Sequence, residues 1–203
     1  MQIIDISREL LGASVYPGDP GPEVRPFSKI SEGALSNISV ITACAHNATH
    51  VDAPLHFFES GDKLISMPLD AFIGPCDVVT FPEGEIFGAK IDDVFPYGCE
   101  RLLVRGGGKA FFTADGAHAL AARGVRLVGT DSQSIGDSSD QQGPHKAFLS
   151  HDIPILEGLD LSKVRDGRYF LMAQPLKIDK VEASPVRALL ISGPLFWHGG
   201  SQV

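Results

Sequence analysis

His46-Asn47-Ala48-Thr49-His50-Val51-Asp52-Ala53-Pro54-Leu55-His56-Phe57 holds three of the chain's seven histidines, a carboxylate and a proline. A helix does not suit this stretch. At ~100° per residue it would aim Asp52 away from His46 and His50, and Asn47, Thr49, Val51 and Pro54 are poor helix formers. In an extended chain side chains alternate, so the even-numbered His46, His50, Asp52 and His56 share a face. A flat strand would still hold His46 and His50 roughly 13 Å apart at ~3.3 Å per residue, long for two imidazoles sharing an ion. A strand that bends at Asn47-Ala48 and then loops through Pro54 meets both demands, Asn being tolerant of the left-handed backbone such a bend requires. Two or three imidazoles and one carboxylate then converge, a donor set preferred by zinc and usable by manganese or iron. Each histidine alone reads as a buried, hydrogen-bonded core residue. Four such groups of one parity in a histidine-poor chain read as a metal site.

With 203 residues, 43% hydrophobic and 21% charged, the chain suits one domain spanning 1–203 around a sizeable core. Asp5, Arg8 and Glu9 interrupt any leader-like apolar segment, so the expected compartment is the cytoplasm. Cys44, Cys76 and Cys99 are odd in number and lack CxxC spacing, as expected of reduced thiols used in packing. A net charge of −8 without a Lys/Arg run disfavours nucleic acid as a partner, and the apolar runs are too short for a membrane span.

The β-branched residues of 37–44 predict a strand feeding directly into His46, which puts the dense stretch at a strand's end. Further strands are predicted at 2–7, 76–81, 101–105, 125–130, 153–156, 168–173 and 187–192. Thr113 caps a predicted helix through Arg123, with Gly124 as its stop. His118, inside it, reads as structural or exposed. Pro144, whose missing N–H is not needed in a first turn, opens a second short helix and places His145 near its start. Propensity alone therefore yields mixed α and β. Tyr16-Pro17-Gly18-Asp19-Pro20-Gly21-Pro22 is a rigid, turn-rich loop of the kind that carries side chains to a site. Gly106-Gly107-Gly108-Lys109 lacks the first glycine and the Ser/Thr of a phosphate loop, and no Gly-x-Ser-x-Gly elbow occurs. His151 and His198 stand in no motif.

The pattern His-x-x-x-His-x-Asp-Ala-Pro-x-His-Phe at 46–57 has company along the chain. Together with Asp5-Ile6-Ser7, Tyr16-Pro17-Gly18-Asp19, Gly74-Pro75-Cys76, Thr130-Asp131-Ser132-Gln133-Ser134, His145, Ile155-Leu156-Glu157 and Ser184-Pro185-Val186-Arg187-Ala188, it resembles the metal-dependent cyclase family, whose best-known bacterial members are kynurenine formamidases. The resemblance covers nearly the whole chain. It departs at Ala48, where the family usually carries Gly.

The resemblance implies an α/β fold, a mixed β-sheet forming a barrel-like core with peripheral helices, assembled as a homodimer. It also implies a binuclear amidohydrolase. His46, His50 and Asp52 hold the first ion, His145 completes the second, and Asp52 and Glu157 bridge the pair of divalent cations, zinc before manganese. Without the resemblance, His145 and Glu157 would each read as structural or exposed. His56 lies on the ligand face beyond the first pair and is the expected proton donor to the leaving amine. Tyr16 matches an aromatic residue, commonly Trp, that contacts substrate. The expected reaction is an arylformamidase step of tryptophan degradation, in which a metal-activated water converts N-formyl-L-kynurenine to L-kynurenine and formate. Two alternatives stand beside it. The same chemistry could open a cyclic amide or lactone or act on another acylated aromatic, or the chain could be a non-catalytic metal- or small-molecule-binding module.

Overall fold

The computed structural model describes residues 1–193, and His198 lies outside them. In chain order the strands are β1 (Gln2–Asp5), β2 (Glu23–Ser28), β3 (Ile38–Thr42), β4 (His50–Asp52), β5 (Ile73–Thr80), β6 (Gly84–Ile86), β7 (Arg101–Arg105), β8 (Ala110–Phe112), β9 (Leu127–Thr130), β10 (Ile155–Glu157), β11 (Gly167–Met172), β12 (Ala183–Pro185) and β13 (Leu189–Ser192). The helices are α1 (Leu69–Phe72), α2 (Gly88–Val94), α3 (Ala114–Ala122) and α4 (Gln142–Leu149). Nine strands form one mixed sheet in the order β1-β13-β11-β5-β7-β9-β10-β4-β12. Pairing is parallel from β5 through β7 and β9 to β10, and antiparallel elsewhere in that sheet.

Connectivity forces this sheet to curl. Seven inter-strand steps separate β12, at one edge, from β13 near the other, roughly 34 Å if the sheet were flat at ~4.8 Å per step. Yet the chain goes from Pro185 in β12 to Leu189 in β13 in four residues, which reach at most ~14 Å. The two edges must therefore approach each other. The segment after β1 ties them: Ile6 N–H donates to the Ala188 carbonyl at 3.0 Å, Asp160 N–H donates to the Ile6 carbonyl at 2.9 Å, and Ser7 bridges Leu159. The result is the curled half-barrel with peripheral helices expected above.

Both faces of the central strands are covered, as parallel strands require. Leu103, Leu127 and Leu156 point into the curl with Val51, Phe72, Leu171 and Leu190. Their neighbours Leu102, Val104, Val128 and Ile155 face outward against Ile91 of α2, Leu120 of α3, Phe112 of β8 and Phe148 of α4. The strands predicted from 2–7 to 187–192 all appear, with ends moved by up to three residues. Thr113 caps α3 as expected, its Oγ1 accepting the Gly116 N–H at 3.3 Å.

Three expectations are corrected. The strand predicted at 37–44 forms as β3 but pairs only with β2, in a hairpin separate from the main sheet, so it does not position the site. Helix α4 starts two residues ahead of Pro144, which fits the first turn because N–H groups there have no intrahelical partner. Short elements went unpredicted, namely β2, β6, β8, β12, α1 and α2, most of them three or four residues long. The Gly106-Gly107-Gly108 run binds internally: its three N–H groups donate to the Asp131 carboxylate at 3.0, 2.9 and 3.1 Å.

Candidate metal centre

Strand β4 lies between β10 and β12, with His50 opposite Glu157 and Asp52 opposite Ile155. Directly opposed residues share a face, so His50, Asp52 and Glu157 project together toward α4, while Val51 and Leu156 fill the interior of the curl. His46 arrives from the turn ahead of β4. The bend there is made by Ala48, at φ 57°, not by Asn47. Asn47 instead ties the turn down, its Oδ1 accepting the Cys44 N–H at 2.8 Å and its Nδ2 donating to the Pro20 carbonyl at 3.3 Å. Gly158 permits the close approach opposite, since a Cβ there would stand 2.3 Å from the Ala48 oxygen. His56 follows on a single 3-10 turn, Pro54–His56, and α4 brings His145 over the strand ends.

The structure thus brings His46, His50, Asp52, His56, His145 and Glu157 into one cluster. The two carboxylates are turned to both sides of it. Asp52 Oδ1 lies 3.0 Å from His46 Nδ1 and 3.5 Å from His50 Nε2, while Oδ2 lies 3.8 Å from His145 Nε2. Glu157 repeats the pattern, with Oε2 3.4 Å from His50 Nε2 and Oε1 3.2 Å from His145 Nε2. Among the described residues, His50 Nε2 and both Asp52 oxygens are buried without a hydrogen-bond partner. Orphaned buried atoms of this kind are costly and call for an explanation. Cation binding supplies one: two donors ~2.1 Å from a tetrahedral ion stand ~3.4 Å apart, the spacing seen here. Two overlapping groups could hold an ion, His46 with Asp52 and His56, and His50 with Asp52 and Glu157.

The outward nitrogens fix the rings. His50 Nδ1 lies 3.1 Å from the Ala48 carbonyl and His145 Nδ1 2.6 Å from the Gln141 carbonyl. Each Nδ1 is thus positioned to donate to main chain and each Nε2 is turned to the carboxylates, so that Nε2 is the nitrogen left to ligate a metal once it sheds its proton, the usual support for a metal-ligating histidine. Burial pulls the His50 pKa down, but Asp52 and Glu157 outweigh it and push it up to about 9. Burial likewise raises Glu157, yet His145 and His50 hold it well below the usual carboxylate range. Asp52 is depressed too, burial and Glu157 being overcome by His50 and His46.

A cavity of about 270 Å³ opens over the cluster, lined also by Tyr16, Asp19, Phe57, Gln133 and Gln141. Tyr16 is 37% exposed at its mouth. A larger cleft of about 690 Å³, between Arg8, Arg105, Gly107 and Asp160, contains no histidine. His118 and His151 are exposed and lie against each other, outside the cavity lining. Sequence reasoning missed two site residues. Gln141 anchors His145 through its backbone carbonyl, which no side-chain pattern reveals, and Glu182 places Oε1 3.3 Å from His46 Nε2. Only its position just ahead of Ser184-Pro185 could have drawn attention to Glu182.

A family model described as "Putative cyclase" matches residues 4–137. The chain belongs to the cyclase family. A kynurenine formamidase of Erythrobacter litoralis is 38% identical over 93% of each chain. One from Bacillus cereus is 35% identical over 92% of this chain and 96% of its own. Among solved structures, a potential metal-dependent hydrolase with cyclase activity superposes with a TM-score of 0.81 at 30% identity, covering 93% of this chain and 96% of that one.

Proposed function

We propose that this cyclase-family chain is a metal-dependent amidohydrolase that cleaves N-formyl-L-kynurenine to L-kynurenine and formate. The observation that carries the reading is the pair of buried carboxylates, Asp52 and Glu157, each offering one oxygen to His50 and the other to His145. Such a pair suits two divalent cations, because shared anions relieve the repulsion between ions ~3.5–4 Å apart. His46, His50 and Asp52 would hold one ion and His145 the other, and Asp52 and Glu157, each turned to both sides, would serve both. Nitrogen and oxygen donors favour zinc, with manganese second. When bound, such ions make hydroxide available near neutral pH and polarise an amide carbonyl.

The rest falls to side chains. His56 stands at the rim of the cluster, its ring centroid 4.3 Å from that of His46 and 5.8 Å from that of His145. Burial lowers its pKa; Asp52 opposes this, and His46 and His145 add to the lowering, which leaves it below the ordinary value. A neutral imidazole at pH 7 takes the proton released as water adds to the formyl carbon and returns it to the departing aniline nitrogen. Tyr16 offers a ring face to the aryl group, and Phe57 also lines the cavity. Three free thiols, Cys44, Cys76 and Cys99, support a reducing cytoplasmic setting. Exposed Phe27 and Ile41 on the β2–β3 hairpin support a homodimer of one cyclase-like domain spanning 1–203.

The test is hydrolysis by protein stripped with a chelator and reloaded with zinc or manganese. Metal-dependent release of formate from N-formyl-L-kynurenine is expected. Opening of isatin alone would move the substrate to cyclic amides, and bound metal without turnover of either would make the chain a binding module.

A further inference from the structure

We infer that Glu182 is a positioning residue for His46, the acceptor that turns this ring so that Nδ1, and not Nε2, faces the metal centre. The inference rests on the metal-binding reading above.

Three histidines face the carboxylates, and the outward nitrogen of each meets an oxygen. For His50 and His145 that nitrogen is Nδ1 and the oxygen a backbone carbonyl, of Ala48 and of Gln141. His46 is inverted. Its Nδ1 points inward, 3.0 Å from Asp52 Oδ1, and its Nε2 points outward, 3.3 Å from Glu182 Oε1. The group that meets His46 is thus a carboxylate from outside the 46–57 stretch, and the sheet holds it in place. The Glu182 carbonyl accepts the Ala53 N–H at 2.8 Å, and the next residue, Ala183, pairs with Asp52.

Among the described residues the Glu182 carboxylate has no ion pair except the one to His46. His46 stands on a turn, and its outward nitrogen meets this side chain where the other two rings meet main chain. Without an acceptor on Nε2, the ring can rotate and offer either nitrogen, and the centre loses one preset donor. Partners of this outer kind change metal affinity by roughly 10–100-fold when removed.

The experiment is a zinc titration of metal-free wild type, Glu182→Ala and Glu182→Gln against a chromophoric chelator, with thermal unfolding of each metal-free protein alongside. Glu182→Ala is expected to bind zinc about 10–100-fold more weakly. Glu182→Gln, which keeps an acceptor oxygen, should recover most of that loss, and neither change should move the metal-free unfolding midpoint as a merely structural role would. In zinc-loaded wild type, long-range nitrogen–proton NMR should find the His46 proton on Nε2 and those of His50 and His145 on Nδ1. Wild-type affinity in Glu182→Ala, or a proton on His46 Nδ1, would overturn the assignment. Failure of wild type to bind zinc would instead overturn the metal centre on which it rests.

Discussion

Stripping the metal should make the protein progressively less stable between pH 6 and 9, because protons then do part of the work of cations among Asp52, Glu157 and the histidines. His50 is the clearest case, being 3% exposed with its pKa pushed up to about 9 from an ordinary 6.5. A pKa raised by folding contributes stability that is fully present below the unfolded value and is lost as pH rises through the folded one. The difference is worth on the order of 3 kcal/mol at ~1.4 kcal/mol per unit. His46 and His145 are shifted in the same direction, so they steepen the loss. For a chain of this length, ~2–4 °C per kcal/mol translates the His50 contribution into a fall in Tm of roughly 6–12 °C. Asp52 and Glu157 are depressed, so their contribution is present above the ordinary carboxylate range and disappears in acid. The metal-free optimum therefore lies at about pH 5–6.5.

Thermal unfolding followed by circular dichroism, at pH 6, 7, 8 and 9 with excess chelator, measures this directly. General repulsion in a chain of net charge −8 also grows with pH, but salt screens it, whereas buried pairs are screened much less. The slope should therefore survive in high salt. Zinc should reverse it, because ligands that shed protons bind metal better as pH rises. Chelated protein whose Tm stays level or climbs from pH 6 to 9 would refute the electrostatic account of the cluster.

Replacing His56 by Ala should leave metal content unchanged and cut turnover by ~10²-fold or more, read by metal analysis beside a formate assay; loss of both together would make it a ligand. Asp52→Asn should lower the bound metal per chain and flatten the pH slope of the stripped protein, and an unchanged stoichiometry would contradict the bridge. Ala48→Gly should raise stability by roughly 0.5 kcal/mol: relief of a left-handed residue is worth ~1–2 kcal/mol, and much of it is offset by the greater freedom of glycine in the unfolded chain. Chemical denaturation with activity measured in parallel checks this, activity being expected to hold.

Much of the site was legible because it is local. His50 and Asp52 alternate on one short strand, and the bend that returns His46 to them was readable from the misfit between ligand spacing and extended-chain length. The residue that makes the bend was not. Asn47 is the better candidate by propensity, yet Ala48 takes the left-handed conformation, while the Asn47 side chain ties the turn to Cys44 and Pro20. The curl of the sheet came from the family resemblance alone, for a different reason. Propensity identifies strands one at a time, while closure follows from β12 and β13 being sequence neighbours at nearly opposite edges, a fact that exists only once the strand order is known.

The same limit separates the two halves of the metal centre. Glu157 shares a face with His50 through direct cross-strand pairing, and His145 reaches both only because α4 packs over β10. Neither relation leaves a trace in residue spacing, which is why only family resemblance singled these residues out. Glu182 lay beyond even that, since its importance comes from standing one residue before the partner of Asp52. A site assembled across strands is encoded in register, so its inner donors can be read from one segment while the groups that aim them come from the neighbouring strands. If Glu182→Ala weakens zinc binding while the metal-free fold stays as stable as before, register will have been the determinant of that aim.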